Sequence, residues 1–240
     1  MRSLLVVDLG LLPYANGLAL QREVARQRIA GSIEDDVLLL VEHPPVITLG
    51  RSAKDAHMLA SPEYLEQRGV ELFEVERGGD VTFHGPGQLV GYPIIDLKQH
   101  RRDLHWYLRQ VEQFLIDALA SFGIRGDRRP PYTGVWIDDR KIASIGVHAR
   151  DWVTWHGFAL NVNTDLRYFD LIVPCGIQAV RMTSLGAELP NEHVDLTAVA
   201  GRVVDAAAST FGLLPRRLAS NDLASALRAS TTAAAGRAVR

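Results

Sequence analysis

The stretch Asp36–Glu42 has the sequence Asp-Val-Leu-Leu-Leu-Val-Glu, and it decides the fold more than any other segment of the chain. Its five consecutive apolar residues do not alternate with polar ones, so they predict a strand that is buried on both faces. Such a strand needs a covering layer on each side of its sheet. The rest of the chain is therefore expected to supply helices and further strands on both sides of it.

Helical periodicity and capping patterns predict helices at Tyr14–Ala30, from Ser61-Pro62 onward, at Asp103–Phe122 and at Leu196–Phe211. Apolar runs predict further strands, and a hairpin is predicted to turn at Asp138-Asp139-Arg140. The other strands are expected at Leu4–Leu9, Val46–Leu49, Leu72–Glu76, Val81–Phe83, Leu89–Leu97 and Thr154–Val162. Strands dominate the middle and helices flank them, so the predicted class is α+β, or mixed α/β, with one main sheet.

Length and composition indicate a globular protein. The chain has 240 residues, of which 47% are hydrophobic and 22% are charged. No apolar run approaches the roughly 18 residues that cross a bilayer, and the apolar N-terminus meets Asp8 too soon for a signal peptide. The single cysteine suits a reducing compartment. We expect a cytoplasmic monomer that binds no membrane.

The C-terminal segment differs in composition from the rest of the chain. Arg216–Arg240 contains five Arg and one Asp, a net charge of +4, whereas the whole chain carries −2. It is rich in Ala, Ser and Thr and has no aromatic residue, so we expect a domain over 1–215 and a mostly disordered basic tail over 216–240, within which Asn221–Leu227 could form a short helix. The arginines are too sparse, and the rest of the chain too acidic, to predict a nucleic-acid partner.

Cys175 is the only cysteine in the chain and lies in the sequence Val173-Pro174-Cys175-Gly176-Ile177. Pro174 removes a backbone donor and Gly176 permits a sharp turn, so the thiol would be presented on a bend. A free cysteine is more often a small buried core residue. The local pattern leaves both interpretations open.

Lysine is rare in this chain. Of 26 Lys and Arg residues, only Lys54, Lys98 and Lys141 are lysines. A retained lysine can mark a site that needs an amine able to lose its proton, which Arg cannot supply. Lys141 lies on the second strand of the predicted hairpin, where alternation places it on one face with Ala143, Ile145 and Val147. An exposed lysine near a hairpin turn is the alternative.

The segment Arg77–Gln88 contains four glycines around a short predicted strand, so its backbone can pass close to a ligand. Its spacing fits neither a dinucleotide fingerprint nor a P-loop. A turn with a bulge is the structural alternative. The eight histidines form no ligand-spaced cluster, so no metal is predicted.

Five motifs occur together in one order along the chain. They are His43-Pro44 with Thr48-x-Gly50-Arg51, Arg77-Gly78-Gly79 with His84–Leu89, Arg140–Gly146, His156–Asn161 and Pro174–Ile177. In this combination the chain closely resembles the LipB family of octanoyltransferases, the lipoyl(octanoyl) transferases of protein lipoylation. The resemblance runs from about Leu4 to Leu214 and does not cover the segment after Pro215.

The resemblance implies a fold, a reaction and partners. The fold would be the catalytic domain shared by biotin protein ligases and lipoate ligases, a mixed sheet flanked by helices. The reaction would transfer an octanoyl group from acyl carrier protein to a specific lysine of lipoyl domains. These domains belong to the acyltransferase subunits of 2-oxoacid dehydrogenases and to the H protein of the glycine cleavage system. No cofactor is implied.

The resemblance also implies roles for individual residues. Cys175 would be the nucleophile that carries the octanoyl group as a thioester, and Lys141 would exchange protons with it. His84 and His156 would shape the site without acting as the general base. Acyl-substrate positions would be Arg77, Gly78, Gly79, Asp80, Val81, Thr82, Phe83, His84, Ser144, Ile145, Gly146, Gly157, Phe158 and Ala159.

Acyl carrier protein is acidic, so a basic surface is expected to dock it. A basic series near Lys141 is the candidate, and a scattered solvated set is the alternative. The series consists of Arg101, Arg102, Arg125, Arg128, Arg129, Arg140 and Arg150. Three other functions stay open: an ATP-dependent lipoate or biotin ligase on the same fold, a non-catalytic acyl-binding protein, and a hydrolase that passes the acyl group to water.

Overall fold

The computed structural model describes residues 2–223, 225 and 227. Its helices are α1 (Tyr14–Ile29), α2 (Pro62–Gln67), α3 (Leu104–Ala120), α4 (Leu185–Glu188) and α5 (Leu196–Phe211). Short 3-10 helices lie at Asp55–His57, Leu97–Gln99, Leu166–Leu171 and Pro174–Gly176. The strands are β1 (Ser3–Leu11), β2 (Asp36–Glu42), β3 (Val46–Leu49), β4 (Glu71–Glu74), β5 (Val81–His84), β6 (Gln88–Ile94), β7 (Asp127–Arg129), β8 (Tyr132–Ile137), β9 (Arg140–Arg150), β10 (Val153–Asn161), β11 (Arg181–Met182) and β12 (Leu214–Arg217).

The main sheet is mixed. Its strands lie in the order β12, β1, β2, β6, β10, β9, β8 and β7, and β11 pairs with β9. β1 is parallel to both β12 and β2, whereas β6 is antiparallel to β2 and β10. This arrangement, flanked by helices, confirms the predicted fold class.

The strand β2 is buried on both faces, as its sequence predicts. Leu38 and Leu40 pack into a core beneath α3 and α5, while Val37, Leu39 and Val41 pack into a core beneath α1. Each apolar side chain of this strand therefore meets a different layer from its neighbour. Burial of one such aliphatic side chain contributes about 1.5–3 kcal/mol, which explains why the run contains no polar residue.

A second, smaller sheet lies beside the main one, so the expected single main sheet is not the whole architecture. β3 pairs in parallel with β4 and antiparallel with β5. Ile47, Val81 and Phe83 of this sheet pack with Phe169 and Ile172 in a separate core. The Gly78 backbone N–H donates to Val147 O at 2.8 Å, which joins the glycine-rich segment to β9 of the main sheet.

Helix ends follow the capping residues in the sequence. The Asp103 side chain accepts from Trp106 N at the start of α3, and the Asp195 carboxylate accepts from Thr197 N and Ala198 N at the start of α5. Gly212 ends α5 in the left-handed conformation, with φ 65°. The strand β6 stops at Ile94, earlier than predicted, because Asp96 caps the following 3-10 helix.

The predicted disordered tail does not begin at residue 216. β12 extends to Arg217 and pairs with β1, and residues 220–223, 225 and 227 are helical. Leu223 and Leu227 are buried in the core beneath α1. The described residues of Asn221–Leu227 are helical, as their sequence allowed, whereas the predicted disorder is wrong for Arg216 and Arg217. The rest of the predicted tail, residues 224, 226 and 228–240, lies outside the described part of the chain.

We expect Leu223→Ala to lower the free energy of unfolding by about 2–5 kcal/mol, because Leu223 is 2% exposed and its truncation leaves a cavity. Leu214→Ala is the matched control, since Leu214 is 53% exposed and should change stability by less than about 0.5 kcal/mol. Urea denaturation measures both. An equally small effect for the two variants would show that the segment after β12 adds nothing to the fold.

No helix in the described part of the chain is long and apolar enough to span a bilayer.

Candidate active site

Cys175 lies at the centre of a strained 3-10 turn, Pro174–Gly176, whose flanking residues on both sides are extended. Its φ and ψ are 56° and 19°, in the left-handed region, where a residue other than glycine costs about 1–3 kcal/mol. Gly176 follows with φ 67°, and its N–H donates to Val173 O at 2.9 Å. A Cβ at Gly176 would lie 2.5 Å from Asp80 Oδ2, so only glycine fits there. The thiol is partly buried and is presented on a bend, which excludes the alternative of a core cysteine.

Lys141 is buried and contacts the thiol directly. It is 1% exposed, and its Nζ donates to Cys175 Sγ at 3.1 Å. Gly134 on β8 leaves space for the lysine side chain, because a Cβ at this position would lie 2.7 Å from Lys141 Cε. The interpretation of Lys141 as an exposed residue near a turn is therefore wrong.

A β-bulge, absent from the sequence prediction, aims Lys141 at the thiol. Lys141 pairs with Trp136 and Ala143 pairs with Val135, so Ile142 is an extra residue in β9. The extra residue reverses the alternation of faces. Lys141 and Ser144 both approach Cys175, and Ser144 Oγ lies 3.7 Å from Sγ.

The residues that were predicted to share a face with Lys141 lie on the other side of the sheet. Ala143, Ile145 and Val147 pack into or against the core beneath α3 and α5, together with Ile142. The prediction of a shared face is therefore wrong, because strict alternation does not survive a bulge.

The surroundings of Cys175 stabilise its thiolate. Burial acts to raise the pKa of the thiol, but the charge and hydrogen bond of Lys141, the hydrogen bond of Ser144 and the charge of Arg77 outweigh it. The net effect is a lowered pKa. A lowered pKa gives a larger thiolate fraction at neutral pH, and the thiolate is the nucleophilic form of cysteine.

A cavity of about 250 Å³ opens beside Cys175 and Lys141, between the main sheet and the small sheet. Its lining includes most of the predicted acyl-substrate positions, namely Arg77, Gly79, Asp80, Thr82, His84, Ser144, Ile145, Gly146, Gly157, Phe158 and Ala159. The cavity lies between two sheets and has both apolar and polar lining residues, which is typical of a small-ligand site.

Three predicted substrate positions do not line this cavity. Val81 and Phe83 point to the opposite face of β5 and pack in the core with Phe169, as alternation along a strand requires. Gly78 contributes its backbone to the contact with Val147. These three residues support the wall of the cavity from behind and do not line it.

Arg77 holds the glycine-rich segment in place. Its guanidinium is 7% exposed and donates to Thr48 O at 2.6 Å, to Thr48 Oγ1 at 2.9 Å and to Gly78 O at 3.1 Å. The segment also approaches Gly50, where a Cβ would lie 2.3 Å from Gly79 O. Arg77 therefore fixes the loop and adds positive charge near Cys175.

The buried histidines near the cavity favour the neutral form. Burial lowers the pKa of His43 and of His156, and it lowers that of His84 to about 3. His43 Nδ1 donates to Leu12 O at 2.6 Å, so its Nε2 accepts from the Tyr92 hydroxyl at 2.7 Å. His84 donates to Gln88 Oε1 at 2.9 Å. The hydrogen-bond partners of the thiol are Lys141 and Ser144, not a histidine.

Several residues that line the cavity were not predicted as site residues, among them Tyr14, Val90, Tyr92 and Tyr132. They come from α1, β6 and β8. None belongs to a motif with a chemical signature. The pairing of β6, β10, β9 and β8 and the packing of α1 on this sheet bring them together, and neither can be inferred from local sequence.

The predicted basic series does not form one surface. Arg150 lies at the end of β9 remote from Lys141, about 30 Å away at about 3.3 Å per residue. Arg101 and Arg102 lie near that remote end, since Leu97 N donates to Trp152 O just before them. The grouping of all seven arginines around Lys141 is therefore wrong.

The other four arginines lie on or beside the strands β7 to β9. Arg128 and Arg140 are engaged in ion pairs, with Glu112 at 3.0 Å and Glu188 at 3.1 Å. Arg125 and Arg129 are exposed.

Comparison with known proteins identifies the class. The lipoyl protein ligase A/B catalytic domain family matches residues 13–208. A putative lipoate protein ligase from T. acidophilum has the same fold, with a TM-score of 0.72, 16% identity and coverage of 95% of this chain and 93% of that chain. The chain belongs to the lipoyl protein ligase A/B catalytic domain family.

Within that family the similarity is to octanoyltransferases. An octanoyltransferase of Rubrobacter xylanophilus is 55% identical over 80% of this chain and 88% of its own length. One from Gloeobacter violaceus is 53% identical over 72% of this chain and 76% of its own length. The resemblance found in the five motifs is thereby confirmed, and the protein is an acyltransferase enzyme.

Proposed function

We propose that this protein transfers an octanoyl group from acyl carrier protein to a lysine of lipoyl domains, through a thioester on Cys175. The main observation behind the proposal is the contact of Lys141 Nζ with Cys175 Sγ, at 3.1 Å and beside the cavity. The similarity to octanoyltransferases supports the choice of acyl group.

In the first step the Cys175 thiolate attacks the carbonyl carbon of the donor thioester. The C–S bond to the carrier breaks, and the Lys141 ammonium gives its proton to the departing thiolate. Cys175 then carries the octanoyl thioester and Lys141 is neutral. Since a thioester is already activated, this exchange requires no ATP.

In the second step the amine of the acceptor lysine attacks the octanoyl thioester. An amide C–N bond forms, the C–S bond breaks, and Cys175 leaves as a thiolate. Neutral Lys141 takes a proton from the attacking nitrogen, which restores the ion pair with Cys175. A backbone N–H near Cys175 or Lys141 would stabilise the oxyanion in both steps.

The cavity is proposed to hold the octanoyl chain. Gly146 and Gly157 pair across β9 and β10, beyond the pair of Ser144 with Ala159. This line of small residues leads away from the thiol. Val90 and Ala159 add apolar surface to the lining, and burial of each methylene contributes about 0.8 kcal/mol.

Acyl carrier protein is proposed to dock near Arg125 and Arg129, which are exposed. The charges of Arg128 and Arg140 nearby are already balanced by ion pairs with Glu112 and Glu188. We expect Arg125→Glu with Arg129→Glu to raise KM for the carrier about tenfold, because the charge reversal repels an acidic partner. Arg101→Glu with Arg102→Glu, at the remote end, is the matched control. Equal KM values for both double variants would contradict docking at this surface.

A product analysis tests the proposed function. Octanoyl carrier protein and a lipoyl domain are incubated with the enzyme without ATP, and the lipoyl domain is analysed by peptide mass mapping. We expect one octanoyl-lysine per domain. Modification that requires ATP and free octanoate, and that survives Cys175→Ala, would instead establish a ligase. Free octanoate as the main product in the presence of the lipoyl domain would establish a hydrolase.

A further inference from the structure

The proposed second step releases more protons than Lys141 can accept. An exposed lysine has a pKa of about 10.4, so the acceptor arrives as an ammonium ion. Conversion of this ammonium ion and a thioester into an amide and a thiolate releases two protons. Lys141 takes one of them. The other has to be removed before the nitrogen can attack, because an ammonium ion has no free electron pair.

A second pair of ionisable side chains lies against the turn that carries Cys175. His57 Nδ1 and Asp80 Oδ2 are 2.7 Å apart, with side-chain exposures of 14% and 9%. Asp80 lines the cavity together with Cys175. The reaction as described so far uses neither residue.

The pair is held at the nucleophile by several independent contacts. A Cβ at Gly176 would lie 2.5 Å from Asp80 Oδ2 and 3.0 Å from His57 Cε1. His57 O accepts from Val173 N at 2.8 Å, two residues before Cys175. Asp80 Oδ1 accepts from Val81 N at 2.7 Å, which fixes the carboxylate. The two side chains and the thiol turn therefore form one rigid unit.

The pair places a carboxylate on the wall of the cavity. Asp80 faces the cavity, and His57 stands behind it and is partly exposed. A carboxylate oxygen only accepts, so His57 Nδ1–H donates to Asp80 Oδ2 at 2.7 Å and orients the carboxylate. A carboxylate at the thioester also attracts an ammonium ion.

We propose that Asp80, oriented by His57, is a second proton acceptor, which binds the ammonium group of the acceptor lysine and removes its first proton. The inference rests on the proposed function. The Asp80 carboxylate receives the proton from nitrogen and becomes a carboxylic acid, while Nδ1–H of His57 stays hydrogen-bonded to Oδ2. The acid then gives its proton to water, which restores the carboxylate, so His57 acts as a positioning residue that gains and loses no proton. The free amine attacks the thioester, and Lys141 takes the second proton.

Two nucleophiles of different charge test this role. Octanoyl-Cys175 enzyme is prepared with donor, freed of donor, and mixed with either a lipoyl domain or hydroxylamine in single-turnover experiments. Hydroxylamine is uncharged at neutral pH and needs no first deprotonation. For His57→Gln we expect the lipoyl-domain reaction to slow about 10- to 100-fold, and the hydroxylamine reaction to stay within about twofold of wild type. Asp80→Asn should behave in the same way.

The possible results separate the inference from its alternatives. Equal slowing with both nucleophiles would mean that the pair only supports the Cys175 turn, and an unchanged lipoyl-domain rate would mean that it takes no part. Either result overturns the inference and leaves the proposed function intact. Absence of octanoyl-Cys175 on the wild type would remove the proposed function itself, and the inference with it.

Discussion

Cys175→Ala is expected to abolish octanoyl transfer, with a loss in kcat/KM of at least about 10⁴-fold. The reason is that Sγ is the atom to which the acyl group is transferred, and no other side chain can take its place, because the chain has one cysteine. The remaining contacts would still bind the donor. The rate is measured with octanoyl carrier protein and a lipoyl domain.

A fold control accompanies this variant. Alanine at φ 56° carries about the same backbone strain as cysteine, so we expect nearly unchanged stability in urea denaturation. A stable Cys175→Ala protein that retains more than about one hundredth of the wild-type rate would contradict covalent catalysis by this residue.

Lys141→Met is expected to lower kcat by about 10²–10⁴-fold, the range typical for loss of a proton-transfer group. Methionine keeps most of the buried volume but removes the amine that lies 3.1 Å from Cys175 Sγ. The proton for the departing carrier thiolate and the acceptor for the second step are both lost. Steady-state kinetics with both substrates measures the effect.

The same variant should change the pH dependence of thiol alkylation. In the wild type, Lys141 is the largest of the contributions that lower the pKa of Cys175 against the effect of burial. Without it burial raises the pKa of the thiol, so the thiolate fraction at neutral pH falls. The iodoacetamide rate of Lys141→Met should therefore rise only at higher pH than that of the wild type. Coincident pH profiles would show that Lys141 does not stabilise the thiolate.

The parts of the fold that could be predicted are those with a strong local signal. The run Asp36–Glu42 predicted the central strand because both of its faces need apolar residues. The helix α5 was predicted at its observed bounds because periodicity and the Asp195 cap agree. β12 was missed, since its four residues are exposed and include Pro215, so no alternation marks it.

Within the site, the identity of the two central residues could be predicted but the geometry between them could not. Cys175 and Lys141 stood out as rare residues in motifs. Which face Lys141 occupies depends on the bulge at Ile142, and that bulge is a property of the pairing between β8 and β9. Val81 and Phe83 were placed at the ligand by resemblance, whereas alternation in β5 turns them away.

His57 could not be predicted from the sequence as a residue near Cys175. It is 118 residues from Cys175 in the chain and belongs to no motif. It reaches the thiol turn because Met58 pairs with Ile172 and because Val173 N donates to His57 O. Such contacts between irregular segments depend on the whole fold and have no periodic signal.

The most direct test of the central claim is the intact mass of the enzyme after incubation with octanoyl carrier protein alone. We expect the wild type to gain the mass of one octanoyl group and Cys175→Ala to gain none. Addition of a lipoyl domain should remove the adduct while the domain gains the same mass. A wild-type enzyme that stays unmodified while it transfers octanoyl groups to the lipoyl domain would contradict an acyl-enzyme on Cys175.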